Sequence, residues 1–358
     1  RRFSAVQRDR TGGLRYVTAA LNDNPGGDMK TIIRWSMALA VAAIASAGAL
    51  AQELKISHQF KANADGRDLA TRVFVKEVNA RDPSLQFRIY PAQSLGIKPV
   101  AQLDALQNGT LEMAVFPMSY AVGKAQEFSI IIMPGTVPTL EHAMKLRGTP
   151  FHRKLQDLAH ANGVHIVTWW WTPGAFATKD REIAGPASVQ GLKLRAADPT
   201  FESMLKAAGA SVLNMPSTEI YPGLQSGVLS GTLTSAETFV SMRLYEQTKM
   251  ATLPGKYSLW MLLQPLVMSK QHWDKLTPAQ QKIFEEAAAK SDEYFLGLQR
   301  EAVADMEKAY RNAGGKVREM TQAEYDQWLA LAKDTAWKEF AAKSATGKDL
   351  LDALLAVK

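Results

Sequence analysis

Short apolar or alternating runs, separated by helical stretches, constrain the fold of this chain more than any other feature. The runs have the length and periodicity of strands, and they cover residues 54–58, 85–90, 111–116, 164–170, 192–195 and 263–268. Strands that alternate with helices are typical of the α/β class with mostly parallel sheets. Ligand sites in such folds lie beyond the carboxyl ends of the strands, so we expect functional residues there.

The segment that starts at Met29 has the features of an export signal. Lys30 and Arg34 form a positively charged region, and an apolar run over residues 37–50 follows them before Ala51. Fourteen apolar residues would cross about 21 Å of a hydrocarbon layer that is about 30 Å thick, so a cleavable signal is favoured over a membrane-spanning helix. We therefore predict a signal peptide over residues 29–51.

The mature protein is then expected to begin at Gln52 and to be soluble in the periplasm. Residues 1–28 precede the methionine at which such a signal would start, and we interpret them as an untranslated leader read in frame. The sequence contains no cysteine, which excludes disulfides, thiolate metal sites and a lipidated cysteine at the cleavage point.

The charge balance gives no reason to expect nucleic acid or an anionic membrane as a partner. The sequence has 42 basic and 35 acidic residues, of which seven basic and three acidic residues lie in the first 51 positions. The remaining part, with 35 basic and 32 acidic side chains, is nearly neutral. A mixed, solvated surface is the simplest interpretation.

The size of the mature chain predicts two closely associated lobes, because 307 residues exceed what one hydrophobic core usually holds. We expect the first lobe to comprise residues 52–172 and 264–300, and the second to comprise residues 173–263 and 301–358. The sequence LQNGTL at 106–111 returns as LQSGVL at 224–229, as if each lobe had one helix-to-strand unit closed by a left-handed glycine.

A long helix is predicted near the C-terminus. Thr277, Pro278 and Gln280 have the positions of a capping box, and the helical pattern continues to Gly314. About 36 residues would extend roughly 54 Å, so this helix should lie across both lobes. A second capping box, TQAE at 321–324, predicts a terminal helix.

Motifs of common enzyme families are absent from the sequence. It has no HExxH zinc motif, GxSxG elbow, GxxxxGK[ST] phosphate loop or GxGxxG after a strand. His152, His160 and His165 fall in one segment without the spacing of a helical metal pair. We therefore predict that the protein is not an enzyme and uses neither a metal nor a cofactor.

The segment 191–249 carries the most specific pattern. GLKLR at 191–195 is followed by GASVL at 209–213, STEIY at 217–221 and GVLSG at 227–231. In these motifs the chain resembles the substrate-binding subunits of tripartite ATP-independent periplasmic (TRAP) transporters, the dicarboxylate-binding DctP type. The resemblance implies two α/β lobes with a cleft between them and a long helix spanning both. It also implies delivery of a small organic acid to a small and a large membrane subunit, driven by an ion gradient.

Arg195 occupies the position of the family's substrate-anchoring arginine. By itself an arginine at a strand end is more often a solvated or salt-bridged surface group. The resemblance reverses that interpretation, and a guanidinium suits the role because its parallel donors match the two oxygens of a carboxylate.

Departures from the sialic-acid-type members predict a more apolar cleft. Where those members have a second arginine and an asparagine, this sequence has Ala175 and Thr234, and Ser230 replaces an acidic residue. We expect a smaller or more hydrophobic monocarboxylate instead of a sugar acid. The predicted pocket contains Arg195 and Thr234 together with the aromatic residues Phe60, Phe116, Trp169, Trp171, Phe176 and Trp260. The default alternative for this aromatic set is hydrophobic core, because Trp169 and Trp171 would share one face of a strand and Trp170 the other.

Two other functions remain open at the level of sequence. The protein could present its ligand to a periplasmic sensor kinase, which a neighbouring kinase gene would favour over transport. It could also be a periplasmic lyase or hydrolase, which turnover of the bound acid would reveal.

Overall fold

The computed structural model describes residues 4–8, 14–18 and 53–358. The strands β1 (Ser4–Arg8) and β2 (Leu14–Thr18) pair antiparallel with each other. The predicted signal peptide and the other residues of the proposed leader lie outside the described residues. The part that begins at Glu53 folds into two sheets with helices packed on them, and it is described below.

The first sheet is mixed. Its strands are β3 (Glu53–His58), β4 (Gln86–Tyr90), β5 (Met113–Val115), β6 (Val164–Ile166) and β13 (Leu266–Ser269). In space their order is β4, β3, β5, β13, β6. β3 runs parallel to β4 and β5, whereas β13 runs antiparallel to both β5 and β6.

The second sheet is also mixed. Its strands are β7 (Trp171–Thr178), β8 (Lys193–Ala196), β9 (Ser211–Asn214), β10 (Gly231–Ser235), β11 (Met250–Leu253), β12 (Met261–Leu263) and β14 (Lys316–Glu319). The order is β14, β11, β7, β10, β8, β9, and β12 pairs with the other end of β7. β8 runs parallel to β9 and β10, and β11 to β14, but β7 is antiparallel to its neighbours β10, β11 and β12.

The α/β class is confirmed, and the strands of each sheet mostly run parallel, because only one strand in each sheet points against the others. The strand that runs against the others is β13 in the first sheet and β7 in the second. The chain forms each of them directly after it passes from one sheet to the other. Each therefore enters its sheet from the neighbouring sheet and not from a helix of its own sheet. Such a strand runs against those formed by strand–helix–strand units.

The described helices are numbered along the chain. They are α1 (Gly66–Arg81), α2 (Gln102–Gln107), α3 (Leu140–Lys145), α4 (Pro150–Ala161), α5 (Pro199–Ala207), α6 (Ile220–Gln225), α7 (Ala236–Ser241), α8 (Lys270–Trp273), α9 (Pro278–Asn312), α10 (Gln322–Ala332), α11 (Lys338–Lys343) and α12 (Ala345–Leu355). None of them, within the residues that the model describes, is long and apolar enough to cross a bilayer.

The long helix α9 is confirmed, as is its capping box between Thr277 and Gln280. Its first half packs Phe284, Ala287 and Phe295 into the core of the first sheet. Its second half packs Ala302, Met306 and Tyr310 into a core of the second sheet. A helix of 35 residues is about 52 Å long, which is enough to join both sheets along one side.

The repeated glycines have the predicted conformation. Gly109 follows α2 with φ of +67°, and Gly227 follows α6 with φ of +80°. The predicted lobe boundaries remain a prediction. The two sheets divide the chain near them, but α12, assigned to the second lobe, packs against α4, which was assigned to the first.

We expect Phe284→Ala to lower the free energy of unfolding by about 3–5 kcal/mol, because a large buried ring would leave a cavity. Phe284 is fully buried, and its ring meets Phe74 edge-on at 5.3 Å between centroids. The matched control is Tyr294→Ala on the same helix, where the side chain is 40% exposed and the change should stay within about 0.5 kcal/mol. Urea unfolding followed by circular dichroism would measure both, and equal losses would contradict this account of the helix.

Candidate functional site

Arg195 lies on β8 and is buried, with 1% of its surface exposed. Its Nε donates to the carbonyl of Met215 at 2.9 Å, and its Nη1 donates to the carbonyl of Leu233 at 3.0 Å. Its Nη2 donates to the hydroxyl of Tyr120 at 3.2 Å. These acceptors are all neutral, so the protein orients the guanidinium without cancelling its charge.

No carboxylate of residues 53–358 forms an ion pair with Arg195. Asp198 and Glu219 act on it only through longer-range attraction. Burial lowers the pKa of Arg195 below its usual value, and the hydroxyl of Tyr120 partly opposes that effect. Because an arginine side chain keeps its proton in proteins, the site contains a buried and uncompensated positive charge.

Arg67, at the start of α1, is a second buried cation that the sequence analysis missed. Unlike Arg195, it is paired: its Nε and Nη2 each lie 2.6 Å from an oxygen of Asp65. Its Nη1 donates to Gln264 at 2.9 Å, and its guanidinium covers the ring of Phe60 at 3.8 Å from the centroid. The sequence signal was weak, a polar NADGRD stretch after a strand.

A narrow cavity lies between the two arginines. The first part of the chain contributes Arg67, Pro117 and Tyr120 to its wall. Strands and loops of the second sheet contribute the remaining wall, namely Arg195, Ala197, Ser217, Thr234, Ser235, Thr238, Trp260, Leu262 and Gln264. Apart from the arginines, its polar groups are hydroxyls and one amide. The cavity is polar and small, with room for about one water molecule, and groups of both lobes line it.

The structure brings together part of the predicted site. Arg195, Thr234 and Trp260 line the cavity, and Phe60 lies behind Arg67. Phe116 is buried in the core close to Pro117, which itself lines the cavity. Whether these residues contact a solute remains a prediction.

The remaining aromatic residues of the predicted site lie elsewhere. Trp169 donates through Nε1 to the carbonyl of Ala143, and its ring contacts Trp171 at 5.7 Å. Trp170 faces the other core, where it stacks on Phe295 at 5.3 Å, so the predicted alternation of the three tryptophans is confirmed. Phe176 stacks on Trp328 at 5.4 Å, outside the cavity.

Several hydrogen bonds beside the cavity join the first lobe to the second. Gln59 donates to the hydroxyl of Ser217 at 2.7 Å, and the hydroxyl of Tyr120 accepts from the Ser217 N–H at 3.0 Å. Glu237 of α7 accepts from the N–H of Gly66 at the start of α1. It also accepts from Gln299 of α9 at 2.8 Å. The lobes are thus held close together around the cavity.

Two buried carboxyl groups flank the arginines. Burial raises the pKa of Glu237 to about 7, repulsion by Asp65 adds to the rise, and attraction by Arg67 opposes it. Burial also raises the pKa of Asp198 to about 6, although hydrogen bonds from Ser129, Phe201 and Thr200 favour its ionised form. Both groups therefore titrate closer to neutral pH than ordinary carboxyl groups.

A cavity enclosed by two α/β lobes, with one uncompensated guanidinium in its wall, defines a solute-binding protein of the two-lobed type. The model of the family "Bacterial extracellular solute-binding protein, family 7" matches residues 57–344. The chain belongs to this family, and it is the substrate-binding subunit of a TRAP transporter, as the sequence motifs predicted.

Known relatives agree with this assignment. A solute-binding protein of Albidiferax ferrireducens is 34% identical over 296 residues, which cover 81% of this chain and 87% of the relative. The C4-dicarboxylate-binding periplasmic protein DctP of Rhodobacter capsulatus is 25% identical and covers 68% of this chain and 73% of its own. The crystal structure of a TRAP periplasmic solute-binding protein from Rhodoferax ferrireducens, with bound malonate, is 33% identical. It superposes with a TM-score of 0.82 over 84% of this chain and 96% of its own.

We expect the stability of Asp198→Asn, relative to the wild-type protein, to rise as the pH increases from 4 towards 7. Because the pKa of Asp198 is about 6 in the folded state against an ordinary value of 3.8, the folded protein holds the proton more tightly than the unfolded chain. The wild-type protein therefore loses stability through this interval, and the asparagine variant, which cannot ionise, avoids that loss. Urea unfolding midpoints across the pH range would measure it, and parallel curves for the two proteins would contradict it.

Proposed function

We propose that this protein captures a small organic acid between its lobes and delivers it to the small and large membrane subunits of a TRAP transporter. The observation that supports this proposal is the buried guanidinium of Arg195, which has only neutral hydrogen-bond acceptors around it. We also propose that a cleavable signal over residues 29–51 directs export to the periplasm. There the protein would reach the membrane subunits.

A buried charge without a counterion is costly, so its retention requires a compensating gain. A bound carboxylate would supply that gain, because its two oxygens accept charge-assisted hydrogen bonds in the planar geometry of a guanidinium. The carbonyls of Met215 and Leu233 and the hydroxyl of Tyr120 hold the group in place before the solute arrives. Such preorganisation reduces the entropy that binding would otherwise cost.

The charges around the cavity support an acid with one carboxylate. Arg67 also lines the cavity, but Asp65 neutralises it with two short contacts. The hydroxyls of Ser217, Thr234 and Thr238 and the amide of Gln264 suit neutral polar groups of the solute. The Rhodoferax ferrireducens structure contains bound malonate, a dicarboxylate, which supports capture of a carboxylate but not the preference for a single charge.

The contacts between the lobes support closure around the solute as the transport signal. Tyr120 of the first lobe shares its hydroxyl with Arg195 and Ser217 of the second, so the anchoring residue itself lies at the contact. An acid bound there would touch both lobes and favour the closed arrangement by its greater affinity for it. The membrane subunits would then recognise the closed protein.

We expect Arg195→Ala to weaken binding of a small carboxylate by about 2–5 kcal/mol, because the solute's charge would be buried without a partner. Arg195→Lys should also bind poorly, since a lysine cannot form the paired planar contact. Isothermal titration calorimetry measures both, with Arg300→Ala, an exposed arginine on α9, as the matched control that should keep wild-type affinity. Unchanged affinity in Arg195→Ala would refute the proposed function.

A second titration tests the charge of the solute. With one uncompensated cation in the cavity, lactate or propanoate should bind more tightly than malonate, which has a similar size and a second carboxylate. The physical reason is that the second charge would have to displace Asp65 from Arg67 or be buried unpaired. If malonate binds more tightly than both monocarboxylates, the carboxylate anchor stands and the preference for monoanions is wrong.

A further inference from the structure

A second small chamber adjoins the cavity that contains Arg195. Residues of the second sheet and of the loops beside it line this chamber, namely Gly174, Ala175, Phe176, Leu233, Thr252, Pro254, Leu259, Trp260 and Met320. Trp260 is the residue that lines both spaces, so its side chain stands between them.

The position of Trp260 is held by the strand opposite. Its carbonyl accepts from the N–H of Gly174 at 2.9 Å and from the hydroxyl of Ser258 at 2.6 Å. A β-carbon added at Gly174 would come within 2.3 Å of the indole Cε3 and within 2.5 Å of the carbonyl oxygen of Thr234. The indole can therefore lie against this strand only because position 174 has no side chain.

The chamber behind the indole is apolar. Phe176, Leu233 and Leu259, which belong to the same core as Trp260, contribute hydrocarbon surface. The hydroxyl of Thr252, a polar side-chain group in its wall, already donates to the carbonyl of Ile183 at 2.7 Å. Such a space suits an alkyl chain and offers nothing to a second carboxylate or a sugar hydroxyl.

We infer that Trp260 sets the upper length of the solute by closing off this chamber, and that the space freed by removal of the indole, together with the chamber, accepts the alkyl tail of a longer monocarboxylate. The inference rests on the proposed function, because it assumes that the carboxylate of the solute is anchored on Arg195. It adds a specificity-determining residue and a tail-binding space to that anchor. The indole Nε1 is buried without a hydrogen-bond partner in the protein, so its removal leaves no protein group unpaired.

The test compares straight-chain monocarboxylates from propanoate to octanoate by calorimetry. In the wild-type protein affinity should fall once the chain reaches Trp260. In Trp260→Ala it should instead rise by about fourfold for each methylene that enters the chamber, which corresponds to the transfer free energy of one buried methylene. Trp260→Phe, which keeps an aromatic wall, should retain most of the wild-type length limit.

A double variant shows whether the tail enters this particular space. Leu259 lines the apolar chamber and not the cavity of Arg195, and it belongs to the same core as Trp260, so Leu259→Phe in the Trp260→Ala background should fill the chamber and abolish the gain for long acids. Thermal melts would confirm that each variant is folded, and Trp260→Leu serves in place of Trp260→Ala if the alanine variant is not. A gain that survives Leu259→Phe, or no gain in any folded Trp260 variant, would overturn the inference.

The outcome for short acids separates this inference from the proposed function. Propanoate should bind to the wild-type protein and to Trp260→Ala through Arg195, whatever happens to longer acids. If propanoate binds and the length limit does not move, only the role of Trp260 is wrong. If no monocarboxylate or dicarboxylate binds to the wild-type protein, the carboxylate anchor itself is wrong.

Discussion

One buried positive charge between the lobes organises this protein. Arg195 is fully enclosed, is oriented by two carbonyls and a tyrosine hydroxyl, and has no acid paired with it among residues 53–358. Burial of such a charge costs free energy of desolvation. A chain keeps the group only if the rest of the fold is stable enough to offset that cost and the charge serves the function. The two sheets and the hydrogen bonds across the cleft supply that support.

The contrast between the two arginines is the basis of the proposed selection of a solute. Asp65 neutralises Arg67, while Arg195 keeps its charge available. The two arginines differ in their contacts: Arg67 joins the start of α1 to Thr238 of the second lobe and to Gln264, and Arg195 is the proposed anchor of the anion. The two side chains are chemically identical, so only the partners of each guanidinium distinguish them.

The long helix and the strand crossings explain how two lobes can move and still act as one protein. α9 contributes to the cores of both sheets, and β7 and β13 each begin just after the chain has changed sheets. The proposed closure would therefore be a rotation about a few continuous connections and not a separation of independent domains. Glu237 contacts both α1 and α9, so such a rotation would change its hydrogen bonds.

Local chemistry in the sequence determined the elements that depend on near neighbours. The capping box of Thr277 and Gln280, the left-handed glycines at 109 and 227, and the alternation of Trp169, Trp170 and Trp171 could all be read from residues a few positions apart. The family motif around GLKLR identified Arg195 in the same way, because the motif itself is local.

Only the tertiary structure decided which side chains meet at the site. Arg67 and Gln264 are 197 positions apart, and Tyr120 and Arg195 are 75 apart, so no local pattern could reveal their contacts. The mixed direction of the sheets and the position of Trp260 between two cavities also depend on where distant strands pair. Periodicity states which residues of one strand share a face, but the packing of other elements decides whether that face meets core, cavity or solvent.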